Sequence, residues 1–219
     1  MSGLRLALPN GTLLQGACDL LREAGVASLQ PGMFDETLLV HESGMQFVKT
    51  RPTDVPVYVE MGACDGGVVG KDILWEAARD CYELVDLRFG GCRLVLAAPE
   101  ESLLARGQWP PSLRVATKYP QAARQFFDRI GVAAELIKLH GSIELAPATG
   151  LADAVLDITA SGRTLRANRL VEVVEAGRST ARLIANQASI KTRATEIDEL
   201  ATALRRAVEA RGTAARGAA

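Results

Sequence analysis

Apolar residues recur along this chain in two alternating rhythms, short unbroken runs that suit buried strands and i, i+3/i+4 spacings that suit amphipathic helices. "LRLALP" is a run of the first kind, stopped by Pro9-Asn10-Gly11, and "TLLQGACDLLREAG" is a helix of the second kind reaching Gly25. Two apolar runs, "ETLLVHE" and "MQFVKTR", precede a helix that starts at Pro52-Thr53-Asp54 and stops near Gly62. "GGVVG" then reads as a short buried strand, and Lys71-Asp72 lead into a helix over "ILWEAARDC". From "LRFGGCRLVLAAPE" the pattern restarts as a second α/β unit. It has strands at "SLRVATKYP", "AAELIKLHG" and "LADAVLDIT", a helix at "QAARQFFDRIG", and a helix or turn at "SIELAPATG". "LVEVVEAG" and "TARLIANQAS" predict two further strands, and "TEIDELATALRRAVEARG" a last helix fraying into "TAARGAA". Strands and helices alternating this closely predict parallel or mixed sheets with covered faces, and two such units predict a cleft with ligands at strand carboxyl ends.

Composition narrows the function. With 219 residues, 48% hydrophobic, the chain can bury a substantial core and reads as a soluble globular protein. Its 25 basic residues nearly balance 26 acidic ones without a basic stripe, so a nucleic-acid surface is not expected. Cys18, Cys64, Cys81 and Cys92 lie far apart without CxxC or paired-His spacing, which excludes the usual zinc and redox templates and predicts reduced, mostly buried thiols. The N-terminal apolar run is too short for a signal segment and no stretch is long enough to span a bilayer, so a cytoplasmic setting is expected.

The stretch "LDITASGRTLRAN" concentrates chemistry where a strand becomes a helix. Asp157 ends the apolar run, and Thr159, Ser161, Gly162 and Thr164 follow before "LRAN". Successive backbone N–H groups and hydroxyls in such a loop suit phosphate oxygens, and Gly162 permits a positive φ. A carboxylate beside that seat would repel the phosphate but accept hydrogen bonds from a vicinal diol, so the pair suits a phosphorylated ribose. The same residues also make an ordinary connecting turn.

"ELAPATGLADAVLDITASGRTL" resembles the signature of the ATP phosphoribosyltransferases, matching it at Glu144, Gly150, Ala152, Val155, Asp157, Ser161, Gly162, Thr164 and Leu165. Similarity continues through "VPVYVEMGACDGGVVGKDILWE", "YELVDLRFGGCRLVLAAP", "LRVATKYPQAARQFF", "IKLHGSIELAP" and "ARLIANQASIKT". The resemblance implies an α/β, two-lobed type II periplasmic-binding-protein-like fold with an interlobe cleft. Residues 1–88 and 177–219 would form the acceptor-side lobe, and residues 89–176 the lobe that binds phosphoribosyl pyrophosphate. It implies transfer of the 5-phosphoribosyl group to N1 of ATP, with release of pyrophosphate, as the first step of histidine biosynthesis. Mg²⁺ would be carried by the substrate rather than by a protein metal site. Asp157, Arg51 and, as helper, Glu144 would be catalytic. Asp157, Thr159, Ala160, Ser161, Gly162, Arg163 and Thr164 would bind phosphoribosyl pyrophosphate, and Gly11 and Arg51 would bind ATP. The chain resembles the short form of the family, which implies a homodimer within a hetero-oligomer that includes a histidyl-tRNA-synthetase-like regulatory subunit. His41 and His140 are expected to be structural, while Lys71 and Lys118, at strand–helix junctions, suit either the site or the surface.

The acceptor half departs from the family pattern. Its first turn usually carries two cations and here reads Pro9-Asn10-Gly11-Thr12, and "LQPGMFDETL" holds Asp35 and Glu36 with no basic residue. Arg169 replaces a usual glycine. These changes leave open a phosphoribosyltransferase with a less anionic acceptor, or a non-catalytic paralogue that keeps the sugar-phosphate seat.

Overall fold

The computed structural model describes residues 3–217 and separates into two compact units. One comprises the residues up to Gly90 and those from Thr180 onward; the other is Gly91–Ser179, so the chain passes between them twice.

The first unit holds β1 (Arg5–Pro9), α1 (Thr12–Glu23), β2 (Leu39–Glu42), β3 (Met45–Thr50), α2 (Val55–Glu60), β4 (Gly66–Gly70), α3 (Lys71–Ala77) and β5 (Tyr82–Asp86). The other unit holds β6 (Cys92–Pro99), β7 (Leu113–Thr117), α4 (Pro120–Ile130), β8 (Ala134–Lys138), α5 (Leu145–Ala148), β9 (Ala154–Thr159), α6 (Arg163–Ala167) and β10 (Leu170–Ser179). The chain then returns to the first unit with β11 (Ala181–Ala185), α7 (Gln187–Thr192) and α8 (Ala194–Gly217).

The first sheet runs β2-β3-β1-β4-β11-β5, with β3, β1 and β4 parallel. Alternation along β1 divides its core: Leu6 and Leu8 pack with Phe47, Leu20, Leu21, Leu200 and Leu204 on one face, while Ala7 meets Val55, Val59, Val69 and Ile184 on the other. Both faces are therefore covered, as the unbroken apolar runs predict. In β4 a Cβ on Gly67 would stand 2.8 Å from Val55 Cγ1 and 3.0 Å from the Ala7 carbonyl, so glycine there lets α2 and β1 close on the strand.

The second sheet runs β10-β6-β9-β7-β8, with β9, β7 and β8 parallel and β6 antiparallel to β9. The carboxyl ends of β9 and β7 are thus neighbours. Beneath that edge Ile143, Ala146, Val155, Leu165 and Leu170 form one buried cluster. Burying Leu165 alone contributes about 2 kcal/mol, which pins the start of α6 to the sheet.

Three elements differ from the periodicity. Helix α3 ends at Ala77, Ala78 turns left-handed at φ 46°, and Tyr82–Asp86, unassigned by the pattern, becomes a strand against β11. Helix α8 continues to Gly217 instead of fraying at Thr213, while α5 is the single short turn that the reading of a helix or turn allows. Among the described residues no helix is long and apolar enough to cross a membrane.

Candidate active site

At the carboxyl end of β9, Asp157, Ile158, Thr159, Ala160, Ser161, Arg163, Thr164 and Leu165 line a recess of about 270 Å³, together with Glu144. The loop is shaped from within. Thr159 Oγ1 accepts the Gly162 N–H at 2.7 Å, and Gly162 turns left-handed (φ 69°, ψ 7°) to open α6. The Gly162 N–H is therefore committed to the loop itself rather than free for a phosphate oxygen, whereas the Thr159 hydroxyl keeps its hydrogen to donate. A Cβ on Gly162 would lie 2.8 Å from Arg166 Nη1 and 2.9 Å from Glu172 Oε1. Glu172 is itself gripped bidentately by Arg93, at 2.6 and 2.9 Å, and Arg93 is the register partner of Thr159. Strands β6 and β10 thereby brace the outer side of the loop.

Asp157 is largely enclosed in the recess, its side chain 13% exposed. Burial pushes its carboxyl above the usual carboxylate range; the Ile158 N–H and the Lys118 ammonium pull it down, and the Glu144 carboxylate pushes it up. Thr117 on β7 stands opposite Leu156 on β9, so the next residue, Lys118, reaches Asp157 Oδ2 at 3.8 Å. Glu144 immediately precedes α5, which Ile143 and Ala146 anchor in the core. The nine-residue lining thus unites Glu144, Asp157, Thr159, Ala160, Ser161, Arg163 and Thr164, all read from the sequence, while Gly162 sits buried behind it.

Gly11 and Arg51 lie in the first unit. Pro9 pairs with Thr50, and the Asn10 N–H donates to the Thr50 carbonyl at 2.8 Å, so the turn at Gly11 and the loop at Arg51 leave adjacent parallel strands side by side. Gly11 opens α1 at φ 75° with open space around its Cα. Arg51 is exposed and has no ion pair among the described residues, and its carbonyl accepts the Asp54 N–H at 2.9 Å. Asp35 and Glu36 are exposed, and Lys49 is turned onto the Phe34 carbonyl and ring. Lys71 pairs with Glu83. His41 lies on edge strand β2 and His140 follows β8; neither lines the recess. The four cysteines are free. Among the described residues no group of three His, Cys, Asp or Glu side chains could hold a metal ion.

The sequence left Lys118 undecided and passed over the Arg93–Glu172 brace. Register joins them to the site, and the only linear trace of Lys118 is its place directly after a strand parallel to the one ending in Asp157.

Comparison with known proteins places this geometry. A model of the HisG family, described as ATP phosphoribosyltransferase, matches residues 51–206. The chain is 44% identical over 211 residues to an ATP phosphoribosyltransferase of Thermoanaerobacter sp. (strain X514), covering 95% of this chain and 98% of that one. It is 48% identical to an ATP phosphoribosyltransferase of Moorella thermoacetica, covering 93% and 92%. Among solved structures it resembles the ATP phosphoribosyl transferase (HisG:HisZ) complex from Thermotoga maritima, with TM-score 0.78 and 30% identity over 94% of this chain and 98% of that one. The periplasmic aliphatic sulphonate binding protein SsuA from Escherichia coli shares the fold at TM-score 0.59 and 12% identity, covering 99% of this chain and 76% of that one.

Proposed function

This chain belongs to the ATP phosphoribosyltransferase family, and from that premise we propose that the loop from Asp157 to Thr164 seats the phosphoribosyl donor while Gly11 and Arg51 serve the acceptor. The reaction joins the 5-phosphoribosyl group of phosphoribosyl pyrophosphate to N1 of ATP, releases pyrophosphate and opens histidine biosynthesis. The fold is that of the type II periplasmic binding proteins.

The observation that carries the assignment is the enclosed Asp157 carboxylate at the mouth of a hydroxyl-rich loop, with a cation on one side and a second carboxylate on the other. Displacement at C1 develops oxocarbenium character, so an anion near the ribose stabilises the transition state more than the ground state. Asp157, helped by Glu144, holds the ribose hydroxyls and orients C1. The Thr159, Ser161 and Thr164 hydroxyls and the free loop N–H groups hold the 5-phosphate, with Ala160 and Gly162 shaping the turn and Arg163 adding charge at its rim. Adenine N1 already carries its lone pair, so no strong general base is needed, and positioning with electrostatics does most of the work. Among the described residues the Arg51 side chain has no ion pair to give up, and it carries countercharge for the triphosphate that the turn at Asn10 and Thr12 does not supply. Magnesium carried by the donor would supply positive charge for the departing pyrophosphate, and no residue of this chain is assigned to hold it.

A HisZ-type regulatory subunit is the partner this reading favours, on the likeness to the HisG chain of the Thermotoga maritima complex. A homodimer within a short-form hetero-oligomer and a cytoplasmic setting belong to the same proposal. The test is pyrophosphate release from ATP and phosphoribosyl pyrophosphate by the wild-type chain and by Asp157→Asn. Loss of about a hundredfold or more in kcat/KM for the donor is expected from a missing charge-assisted contact at the reacting sugar. Wild-type kinetics in the variant would refute the assignment of the loop.

A further inference from the structure

Asp157 is held by more than its own strand. The charged groups around it are Lys118 from the end of β7, Glu144 from the start of α5 and Arg163 from the start of α6; its register partner on β6 is the apolar Val95. Among the described residues Lys118 is the only cation in ion-pair contact with it, at 3.8 Å. The lysine is not a loose surface group. The Thr117 side chain, fully buried, accepts the Tyr119 N–H at 2.9 Å, and the Leu139 N–H binds the Thr117 carbonyl at 3.0 Å, so the backbone on both sides of Lys118 is fixed. Pro120 then starts α4.

On the reading that Asp157 receives the ribose hydroxyls, we propose that Lys118 is a positioning residue for the transfer: its ammonium keeps the Asp157 carboxylate ionised and turned toward the recess, offsetting burial and Glu144. A neutral carboxylic acid would lose acceptor capacity toward a diol and its net negative charge beside C1. Lys118 works through Asp157, so its removal is felt most where Asp157 is most easily protonated.

The experiment compares wild type, Lys118→Met, Lys118→Arg and Asp157→Asn in kcat/KM for phosphoribosyl pyrophosphate as a function of pH. In parallel, carboxyl-carbon NMR titration follows the Asp157 resonance, identified by its absence in Asp157→Asn. The proposal expects the acid limb of Lys118→Met to move up by about one pH unit, as removal of an opposite charge at this distance does. The corresponding loss is about tenfold at the acid end and fades as pH rises. The NMR midpoint should move the same way, and Lys118→Arg should restore both. A loss equal at all pH values with an unmoved NMR midpoint overturns it, since the lysine would then act on the donor directly; so does wild-type behaviour in Lys118→Met. If Asp157→Asn itself binds the donor normally, it is the reading of the loop that fails. The NMR midpoint then still shows whether Lys118 governs the carboxylate. Should Lys118→Met fold poorly, Lys118→Gln gives the same comparison.

Discussion

Gly162→Ala puts the loop's geometry to a quantitative test. The residue is left-handed at φ 69°, where an alanine costs about 1–2 kcal/mol. Its Cβ would meet Arg166 Nη1 at 2.8 Å and Glu172 Oε1 at 2.9 Å. Arg166 is exposed and can swing away, but Glu172 is tied to Arg93 at 2.6 and 2.9 Å and has to shift with it. The strain, at least about 1–2 kcal/mol, has two outlets. If 159–164 keeps its shape, the strain appears as lost stability. If the loop relaxes into another turn, stability is spared and affinity for phosphoribosyl pyrophosphate falls by about fivefold to a hundredfold. The assay is therefore double: thermal unfolding, and KM for phosphoribosyl pyrophosphate from pyrophosphate release. Packing of Leu165 beneath α6 favours the second outlet, because the helix stays anchored while the turn before it is free to change. A variant matching wild type in both melting temperature and KM would refute the account of the loop.

Burial lifts the Asp157 carboxyl above its unfolded value, so with rising pH the unfolded chain loses that proton first and folding stability falls between the two values. Asp157→Asn removes that penalty, and its melting temperature at neutral pH should be no lower than wild type even as transfer collapses; a drop of several degrees would contradict this. Arg51→Ala should leave thermal unfolding unchanged and lower kcat/KM for ATP by about tenfold to a hundredfold, the size of a charge-assisted hydrogen bond, while the KM for the donor stays put. Asn186 is buried, accepts the Ser189 N–H at 2.7 Å and donates to the Cys64 carbonyl at 3.0 Å. Asn186→Ala leaves both groups unpaired at about 2–3 kcal/mol, read as a lower denaturant midpoint with normal KM values. Burial pushes the Cys18 and Cys64 thiols up to about 11, so iodoacetamide should leave both unlabelled in the native protein and label both after unfolding, as read by peptide mass spectrometry.

The parts of this molecule written in local pattern are legible in the sequence. The short apolar runs of β1 and β9, the amphipathic spacing of α1 and α4 and the turn chemistry of Thr159 to Gly162 each declare themselves within a dozen residues. What depends on register does not. Lys118 and Asp157 are 39 positions apart and meet only because Thr117 stands opposite Leu156. Arg93 and Glu172, 79 apart, meet because β10 lies against β6 and the two long side chains reach along the strands, Arg93 standing opposite Arg178 and Glu172 opposite Ala97. Tyr82–Asp86 was illegible for another reason: "YELVD" is too short to outweigh the helical spacing before it, and its strand character comes from β11, almost a hundred residues later. The hydroxyl of Thr159 illustrates the same limit at short range, since its type predicts a polar partner while the fold shows that partner to be the loop's own backbone.

The most direct test of the central claim is a transfer assay with ATP and phosphoribosyl pyrophosphate, following pyrophosphate release and identifying the nucleotide product by mass spectrometry. It is run on the chain alone, on the chain mixed with a HisZ-type subunit, and on Asp157→Asn. The account predicts phosphoribosyl-ATP from wild type, more of it with the subunit present, and next to none from the variant. Wild-type protein that binds phosphoribosyl pyrophosphate yet forms no phosphoribosyl-ATP in either mixture would contradict it.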